Sequence, residues 1–163
     1  MKADTKLFSS IKIRGVTIPN RIVLSPLCMY SANDGVATDW QFAHLSTFAR
    51  GKTGLIFAEA TAIEARGRIT PGCLGIWTDE QADALVPITS FIESMGCVPG
   101  FQLAHAGRKA GTKVPWKGGT PLDEEDINAG NAPWDTIGPS DIPVADGWVV
   151  PKAMDEEDIK SIV

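Results

Sequence analysis

The sequence contains few of the side chains that bind metals or form disulfides. It has three cysteines and two histidines in 163 residues. Cys28, Cys73 and Cys97 are odd in number and far apart, and no C-x-x-C pair occurs. This pattern predicts free thiols in a reducing compartment. Since no spacing among these residues resembles a zinc site, we expect no metal centre.

Long apolar runs and basic clusters are absent as well. The run at residues 54–58 is far shorter than the roughly 20 residues that span a bilayer. Residues 1–6 contain two lysines, but a broken pattern follows them instead of the apolar region of a signal peptide. At most two basic residues are adjacent, and no basic stripe alternates with aromatic residues. We therefore expect a cytoplasmic protein that binds neither membranes nor nucleic acid.

Four common catalytic and nucleotide-binding motifs are missing. The sequence has no G-x-G-x-x-G, G-x-x-x-x-G-K-[ST], G-x-S-x-G or H-E-x-x-H, so the mechanisms tied to them have no support. The composition, 44% apolar and 21% charged with a net charge of −5, is that of one globular domain. The length allows a core, but a complete (β/α)8 barrel needs about 200 residues or more.

The apolar pattern predicts four β segments. Residues 11–18 alternate apolar and polar side chains and predict a hairpin, and residues 21–27 predict a buried strand. Residues 54–60 form a nearly continuous apolar run, which is typical of a strand covered on both faces. Glu59 is the charged exception in that run. Residues 98–104 predict a third strand after the hairpin.

Two capping boxes predict the starts of two helices. Thr38 precedes Gln41 by three residues, and Thr78 has the same spacing to Gln81. Pro87 should kink the second helix. The apolar stripes and the glycines that end them are Phe42, Leu45, Phe48, Ala49 and Gly51 in the first helix, and Ala82, Leu85, Ile88, Ile92, Met95 and Gly96 in the second.

The last third of the chain predicts a long loop and one more helix start. A loop of about forty residues, rich in Gly, Pro and Asp, runs from 107 to about 151, and loops beyond about 15 residues are usually functional or disordered. An acidic first turn at 155–158 then opens a helix. The order of hairpin, β, α, β, α, β, loop, α predicts an α/β fold with a parallel sheet whose fourth strand is missing.

Ligands of parallel α/β folds bind at the carboxyl ends of the strands. The candidate segments are therefore 25–30, 59–61 and 102–108. Gln102 stands out, because an amide within an apolar strand must find partners or cost about 1–3 kcal/mol. Its donor and acceptor suit the edge of a heterocycle.

Three other side chains at these ends admit two interpretations each. Cys28 fits either a small buried hydrophobic side chain or a reactive thiol. Tyr30 fits an ordinary half-buried ring as well as a functional hydroxyl. His105 fits a core histidine whose hydrogen bonds are satisfied as well as a site residue.

Four segments resemble the old yellow enzyme family, and most closely its thermophilic-like branch of FMN-dependent NADPH dehydrogenases and ene-reductases. They are R-I-V-L-S-P-L-C-M-Y-S (21–31), G-L-I-F-A-E-A-T-A (54–62), G-R-I-T-P-G-C-L-G-I-W-T-D (67–79) and Q-L-A-H-A-G-R-K-A (102–110). The resemblance covers the whole chain but only the first part of the family's barrel.

The resemblance implies the N-terminal part of a (β/α)8 TIM barrel, with the hairpin at its bottom and FMN across its top. Cys28 resembles the cysteine near the flavin that tunes its potential and senses substrate, and Tyr30 the tyrosine that hydrogen-bonds the substrate oxygen. His105 and Arg108 match family positions without an implied direct role. The implied cofactor-binding residues are Ser25, Pro26, Leu27, Cys28, Ala60 and Gln102.

The implied reaction is ping-pong hydride transfer. NADPH reduces FMN, and the reduced flavin passes hydride to the β-carbon of an activated alkene such as an enone. The protein supplies orientation and electronic tuning. The complete family enzyme is expected to be a homo-oligomer.

Other parts of the family's site would lie beyond Val163, including the histidine pair that grips the substrate and the phosphate-binding loops. We therefore expect residues 1–163 to be an incomplete barrel domain, cut within a helix and inactive alone. The remainder of the barrel would come from the same longer chain or a complementary chain. Two alternatives stay open: a half-barrel interaction module, and a flavin-binding module without turnover.

Overall fold

The computed structural model describes residues 5–163 and contains a three-stranded parallel sheet with two helices packed on one face. Residues 1–4, on which the expected absence of a signal peptide partly depends, lie outside the described residues. The elements are β1 (Ile11–Ile13), β2 (Val16–Ile18), β3 (Val23–Leu24), α1 (Asp39–Arg50), β4 (Leu55–Ala62), α2 (Asp79–Ser94), β5 (Val98–Ala104), α3 (Glu124–Asn128), β6 (Ile137–Gly138), β7 (Lys152–Ala153) and α4 (Glu156–Ile162).

The central sheet has the order β3-β4-β5, and both pairings are parallel. The predicted parallel sheet is confirmed, and β5 covers the predicted residues 98–104. The predicted strand at 21–27 is too long, since only Val23 and Leu24 pair, and it is wrong as a buried strand, since Val23 is 49% exposed. The reason is that β3 is an edge strand, and Pro26 has no N–H to extend the ladder.

Both predicted capping boxes are confirmed. The Thr38 hydroxyl accepts from the Trp40 backbone N–H at 3.3 Å, and the Gln41 side chain accepts from the Thr38 N–H at 2.9 Å. Thr78 and Gln81 exchange the equivalent pair of hydrogen bonds. These bonds satisfy N–H groups that the first helical turn leaves unpaired. The second helix runs through Pro87 and ends where predicted.

The core lies between the sheet and these two helices. Ile56 and Ala58 of β4 pack there against Leu45 of α1 and Leu85 of α2, and all four are buried. The opposite face of the sheet differs, since Leu55 and Phe57 are only half-buried. The expectation that β4 is covered is therefore confirmed for the face toward the helices and only partly met on the other face of the described residues, because both helices pack on the same side.

The register between β4 and β5 shifts at Glu59. Ala58 pairs with Phe101 and Ala60 pairs with Gln102, so Glu59 is an extra residue on β4. Both Ala58 and Glu59 are consequently buried, although consecutive strand residues normally point to opposite faces. This is a β-bulge, a feature that redirects a side chain near the end of a strand.

The N-terminal hairpin is confirmed as an antiparallel pair, β1 with β2. Arg14 and Gly15 form its tight turn, and Arg14 has a φ of +51°. Its apolar side chains are mostly uncovered, with Ile13 54% and Val16 48% exposed. Ile18 is the buried member of the hairpin.

Residues 107–151, called the long segment below, contain more structure than the predicted loop. Asp123 caps the short helix α3, and β6 pairs with β7 just after the segment. The Arg68 guanidinium lies 5.4 Å from the Trp77 ring and 5.0 Å from the Trp134 ring. Trp134 also donates from Nε1 to the Arg66 carbonyl at 3.0 Å. These contacts attach the long segment to the loop that follows β4.

The final helix, α4, begins at the predicted acidic turn. The Asp155 side chain accepts from the backbone N–H groups of Glu157 and Asp158. Across residues 5–163 the structure contains no helix with both the length and the apolar character that crossing a membrane requires.

Candidate functional site

The carboxyl ends of the three parallel strands bring the predicted site residues to one edge of the sheet. The segment 25–28 follows β3 directly, and Ala60 lies near the end of β4. The bulge at Glu59 sets Ala60 opposite Gln102 on β5. Paired residues of neighbouring strands place their side chains on the same face. Ala60 and Gln102 therefore present a small side chain next to an amide.

Gln102 is exposed and makes no side-chain hydrogen bond with any residue in the range 5–163. The expectation that this amide must find partners inside an apolar strand is wrong. The preceding residue, Phe101, packs on the helix-covered core, so the alternation of a strand turns Gln102 to the open face. Its donor and acceptor are available to a ligand.

The segment that follows β3 presents a mainly apolar surface. Leu27 is 62% exposed, and Ser25 is exposed beside it. Pro26 and Cys28 are half-buried. This segment is therefore open to contact by a ligand or by another part of a protein.

The Cys28 thiol lies at the junction of β3 and β4. Burial raises its pKa, and the negative charge of Glu59 adds to the rise. Hydrogen bonding with the Ala60 backbone and the Tyr30 side chain acts in the opposite direction. The thiol is therefore neutral near pH 7, which separates it from cysteines activated as thiolates.

Tyr30 adopts a backbone conformation that non-glycine residues rarely take, with a φ of +52°. A side chain at Gly72 would come within 2.4 Å of the Tyr30 carbonyl oxygen, so only glycine fits against this turn. The Tyr30 ring packs edge-on against Trp116 of the long segment, with centroids 5.7 Å apart. Burial, followed by the neighbouring Cys28, raises the pKa of Tyr30 to about 12. Its hydroxyl is therefore a stable hydrogen-bond donor.

A cavity of about 330 Å³ opens beside the Tyr30 ring. Trp148 and Lys109 of the long segment line it, together with Ile69 from the loop after β4. The volume falls within the usual range for small-molecule sites.

His105 is engaged in structural hydrogen bonds. Its Nε2 lies 2.7 Å from the Glu64 carboxylate, and its Nδ1 accepts from the Gly107 backbone N–H at 3.0 Å. Burial would raise the pKa of Glu64, but hydrogen bonds from Arg66 and His105 lower it overall. The interpretation of His105 as a satisfied histidine is thus confirmed. Arg108 donates to the Ile142 carbonyl at 3.3 Å instead of joining the strand-end residues.

The sequence placed Glu59 in a candidate segment without a specific role, assigned Gln41 only to a capping box and did not single out Trp116. In the structure Gln41 contacts Glu59, and Trp116 contacts Tyr30. Glu59 accepts a hydrogen bond from the Met29 N–H and another from the Gln41 side chain. The available signal was a carboxylate within an apolar strand. No local pattern marks Trp116, because its contact with Tyr30 joins two distant parts of the sequence.

Comparison with known proteins gives a consistent family. The model of the NADH:flavin oxidoreductase / NADH oxidase family matches residues 6–163. An NADH:flavin oxidoreductase of Gibberella zeae is 45% identical over 160 residues, which cover 98% of this chain and 38% of that protein. An NADPH dehydrogenase of a Geobacillus species is 43% identical over 162 residues, 98% of this chain and 42% of the relative. The chain therefore spans about two fifths of the length of these relatives.

The solved structures agree with the sequence comparison. The old yellow enzyme of Pichia sp. superposes with a TM-score of 0.76 at 26% identity, over 98% of this chain and 40% of that one. The expected fold, part of an α/β barrel of the old yellow enzyme type, is confirmed. The chain belongs to the NADH:flavin oxidoreductase / NADH oxidase family.

Proposed function

We propose that this chain forms one wall of an FMN site in an NADPH-dependent oxidoreductase that reduces the C=C bond of activated alkenes such as enones. The observation that carries the proposal is the meeting of Cys28, Ala60 and Gln102 at the carboxyl edge of the parallel sheet. The names of the similar proteins, an NADH:flavin oxidoreductase and an NADPH dehydrogenase, support the cofactors.

The donor set at this edge fits a flavin. The Gln102 amide is free to pair with the donor and acceptor atoms on the pyrimidine edge of the ring. Ala60, its small neighbour, leaves room for a planar group. Leu27 and Pro26 provide apolar surface for such a ring, while Ser25 adds a polar group at its border.

FMN, when bound, supplies the transfer of hydride from NADPH to the alkene in two half-reactions that share one site. This chain's residues orient the reactants. Tyr30 donates a hydrogen bond to the substrate oxygen, since its raised pKa of about 12 keeps the hydroxyl protonated. Cys28 lies against the Ala60 backbone as a neutral thiol and tunes the electron density of the ring beside it. The cavity beside Tyr30 admits the substrate.

An FMN titration of the full chain, followed by quenching of flavin fluorescence, tests this proposal. Gln102→Ala removes the amide that pairs with the ring, and one lost hydrogen bond of about 1.5 kcal/mol weakens binding about tenfold. Asn128→Ala is the matched control, because it removes an exposed amide at the end of α3. Equal FMN affinity for Gln102→Ala and the unaltered chain would contradict the assignment, as would no binding by either.

We further propose that the remainder of a barrel, in the same longer chain or a complementary one, covers the open side of the sheet. Val23 on one edge strand is 49% exposed and Leu103 on the other is 66% exposed. Edge strands with uncovered apolar groups favour pairing. The chain alone is expected not to oxidise NADPH with an enone, whereas the complete barrel does so and forms a homo-oligomer.

Two competing candidates are a half-barrel module that pairs with itself, which the same exposed edges favour, and a flavin-binding module without turnover. A native mass spectrum with FMN present separates the candidates. A folded, flavin-free monomer argues against the self-pairing module. Alkene reduction by the complete barrel argues against a module without turnover.

A further inference from the structure

Glu59 is a buried carboxylate that the proposed function leaves without a role. Glu59 is 1% exposed, although ionisable side chains are rarely buried unless they are paired. It is the extra residue of the β4 bulge, directly before Ala60. A bulge at this point redirects the carboxylate away from the open face and toward the start of α1.

The contacts of Glu59 form a chain of donors and acceptors. Its Oε2 accepts from the Met29 backbone N–H at 3.1 Å, and its Oε1 accepts from Gln41 Nε2 at 3.4 Å. Gln41 in turn accepts from the Thr38 N–H at 2.9 Å and the Thr38 hydroxyl at 2.8 Å. Burial raises the pKa of Glu59, and hydrogen bonds from the Met29 backbone, the Gln41 side chain and the Tyr30 backbone act in the opposite direction. Since these partners are donors, they suit the ionised carboxylate.

The backbone held by Glu59 lies between two side chains of the proposed site, Cys28 and Tyr30. Met29 separates Cys28 from Tyr30, and the positive φ of Tyr30 makes this turn an unfavourable conformation that its surroundings must maintain. Gly72 limits the turn from one side. The bond from the Met29 N–H to Glu59 fixes it from the other side.

We propose that Glu59 is a positioning residue: its carboxylate holds the Met29 backbone and thereby places the Cys28 thiol and the Tyr30 hydroxyl on the open face of the sheet. The part of this inference that concerns flavin rests on the proposed function. The part that concerns the placement of the thiol stands without flavin.

An exchange of the two side chains tests the proposal. In Glu59→Gln, an amide nitrogen replaces one carboxylate oxygen. This nitrogen faces a second donor, either the Met29 N–H or the Gln41 side chain, so one hydrogen bond is lost. In the double variant Glu59→Gln with Gln41→Glu, the new amide accepts from Met29 and donates to the carboxylate at position 41. That carboxylate still accepts from Thr38. The double variant therefore keeps every hydrogen bond from Met29 to Thr38, and the net charge of the protein is unchanged.

The first measurement is the pH profile of Cys28 alkylation, resolved from Cys73 and Cys97 by mass spectrometry. The titratable groups around the thiol are Glu59, Tyr30 and Cys73. The plateau rate of alkylation at high pH reports how accessible the Cys28 thiolate is, and therefore where the backbone places it. The midpoint of the profile reports the charge around the thiol. The second measurement is FMN affinity, and thermal unfolding records stability separately.

We expect Glu59→Gln to raise the plateau rate, because the turn is held less firmly, and to weaken FMN binding by up to about tenfold, the limit set by one hydrogen bond that maintains the turn. The midpoint moves to lower pH, because a negative charge facing the thiol is removed. The double variant restores the plateau rate and FMN affinity.

Three results would overturn the proposal. One is a Glu59→Gln variant that changes only the unfolding temperature, another is a double variant that keeps the altered plateau rate, and the third is a double variant that does not fold. If the unaltered chain binds no FMN, the proposed function fails while the alkylation profiles still decide the role of Glu59.

Discussion

The sheet with α1 and α2 is held together differently from the long segment at 107–151. In the sheet, fully buried aliphatic side chains such as Ile56 and Leu85 meet in one core. In the long segment, Trp134 stacks on Arg68, and Lys113 pairs with Asp123 at 2.7 Å. Apolar burial contributes about 1.5–3 kcal/mol per large side chain, whereas solvent screens the attraction between charges at the surface. We therefore expect the sheet to govern global unfolding, while the long segment, which also buries Ile137, opens locally.

The largest expected effect comes from a cavity in the core. Ile56→Ala removes a fully buried side chain from β4 and should lower the free energy of unfolding by about 2–5 kcal/mol in urea titrations. Val86→Ala on the exposed side of α2, at 54% exposure, is the control and should change it by about 0.5 kcal/mol or less. Similar losses for both variants would refute a core placed between the sheet and the helices.

A smaller and local effect is expected in the long segment. Trp134→Ala removes a ring from Arg68 and a hydrogen bond to Arg66, together about 1–2 kcal/mol of local stability. Limited proteolysis should cut residues 107–151 about tenfold faster, with little change in the urea midpoint. Trp40→Ala, which removes an exposed ring from α1, should leave the cutting rate unchanged. Cleavage that accelerates only in proportion to global unfolding would show that the two regions open together.

The smallest effect concerns Tyr30, which touches both regions. It is the single tyrosine of the chain, so phenolate absorbance reports on it alone. We expect a midpoint at about 12, and Trp116→Ala should move it toward the ordinary value of 10.0 by reducing burial. The Tyr30→Phe variant supplies the blank. A midpoint near 10.0 in the unaltered chain would contradict the burial of this hydroxyl.

The same pKa shift has a defined sign for stability. The pKa of Tyr30 is higher in the folded protein, at about 12, than its ordinary 10.0. Its contribution is therefore complete below pH 10.0 and is lost as the pH rises toward about 12. Tyr30→Phe should flatten this alkaline decline in thermal unfolding.

Local chemistry made the helices and β5 predictable. Thr38 and Thr78 predict helix starts because a capping box is complete within four residues. The predicted strand at 98–104 also matches the observed one. The candidate strand-end residues followed from the general rule that parallel strands align their carboxyl ends, and their binding roles remain predictions.

Features that depend on distant partners were not predictable. The shortness of β3 follows from its place at the sheet edge, which the residues at 21–27 do not encode. The shift at Glu59 exists only relative to β5. Gln102 looked buried because its neighbours are apolar, yet the side of the sheet that the helices cover decides its exposure. The stacking of Trp134 on Arg68 joins residues far apart in the chain.

The bulge at Glu59 divides β4 into two halves with different tolerance to change. Before it, the even-numbered Ile56 and Ala58 are buried and Leu55 and Phe57 are half-buried, whereas after it Thr61 and Ala62 are both buried. Insertion or deletion of one residue here would exchange the faces of all that follows. Substitution at Ala60 alters a residue that is not part of the core cluster and that carries a proposed binding role. The number of residues in β4 is therefore constrained at the bulge, whereas the sequences of its two halves can change independently.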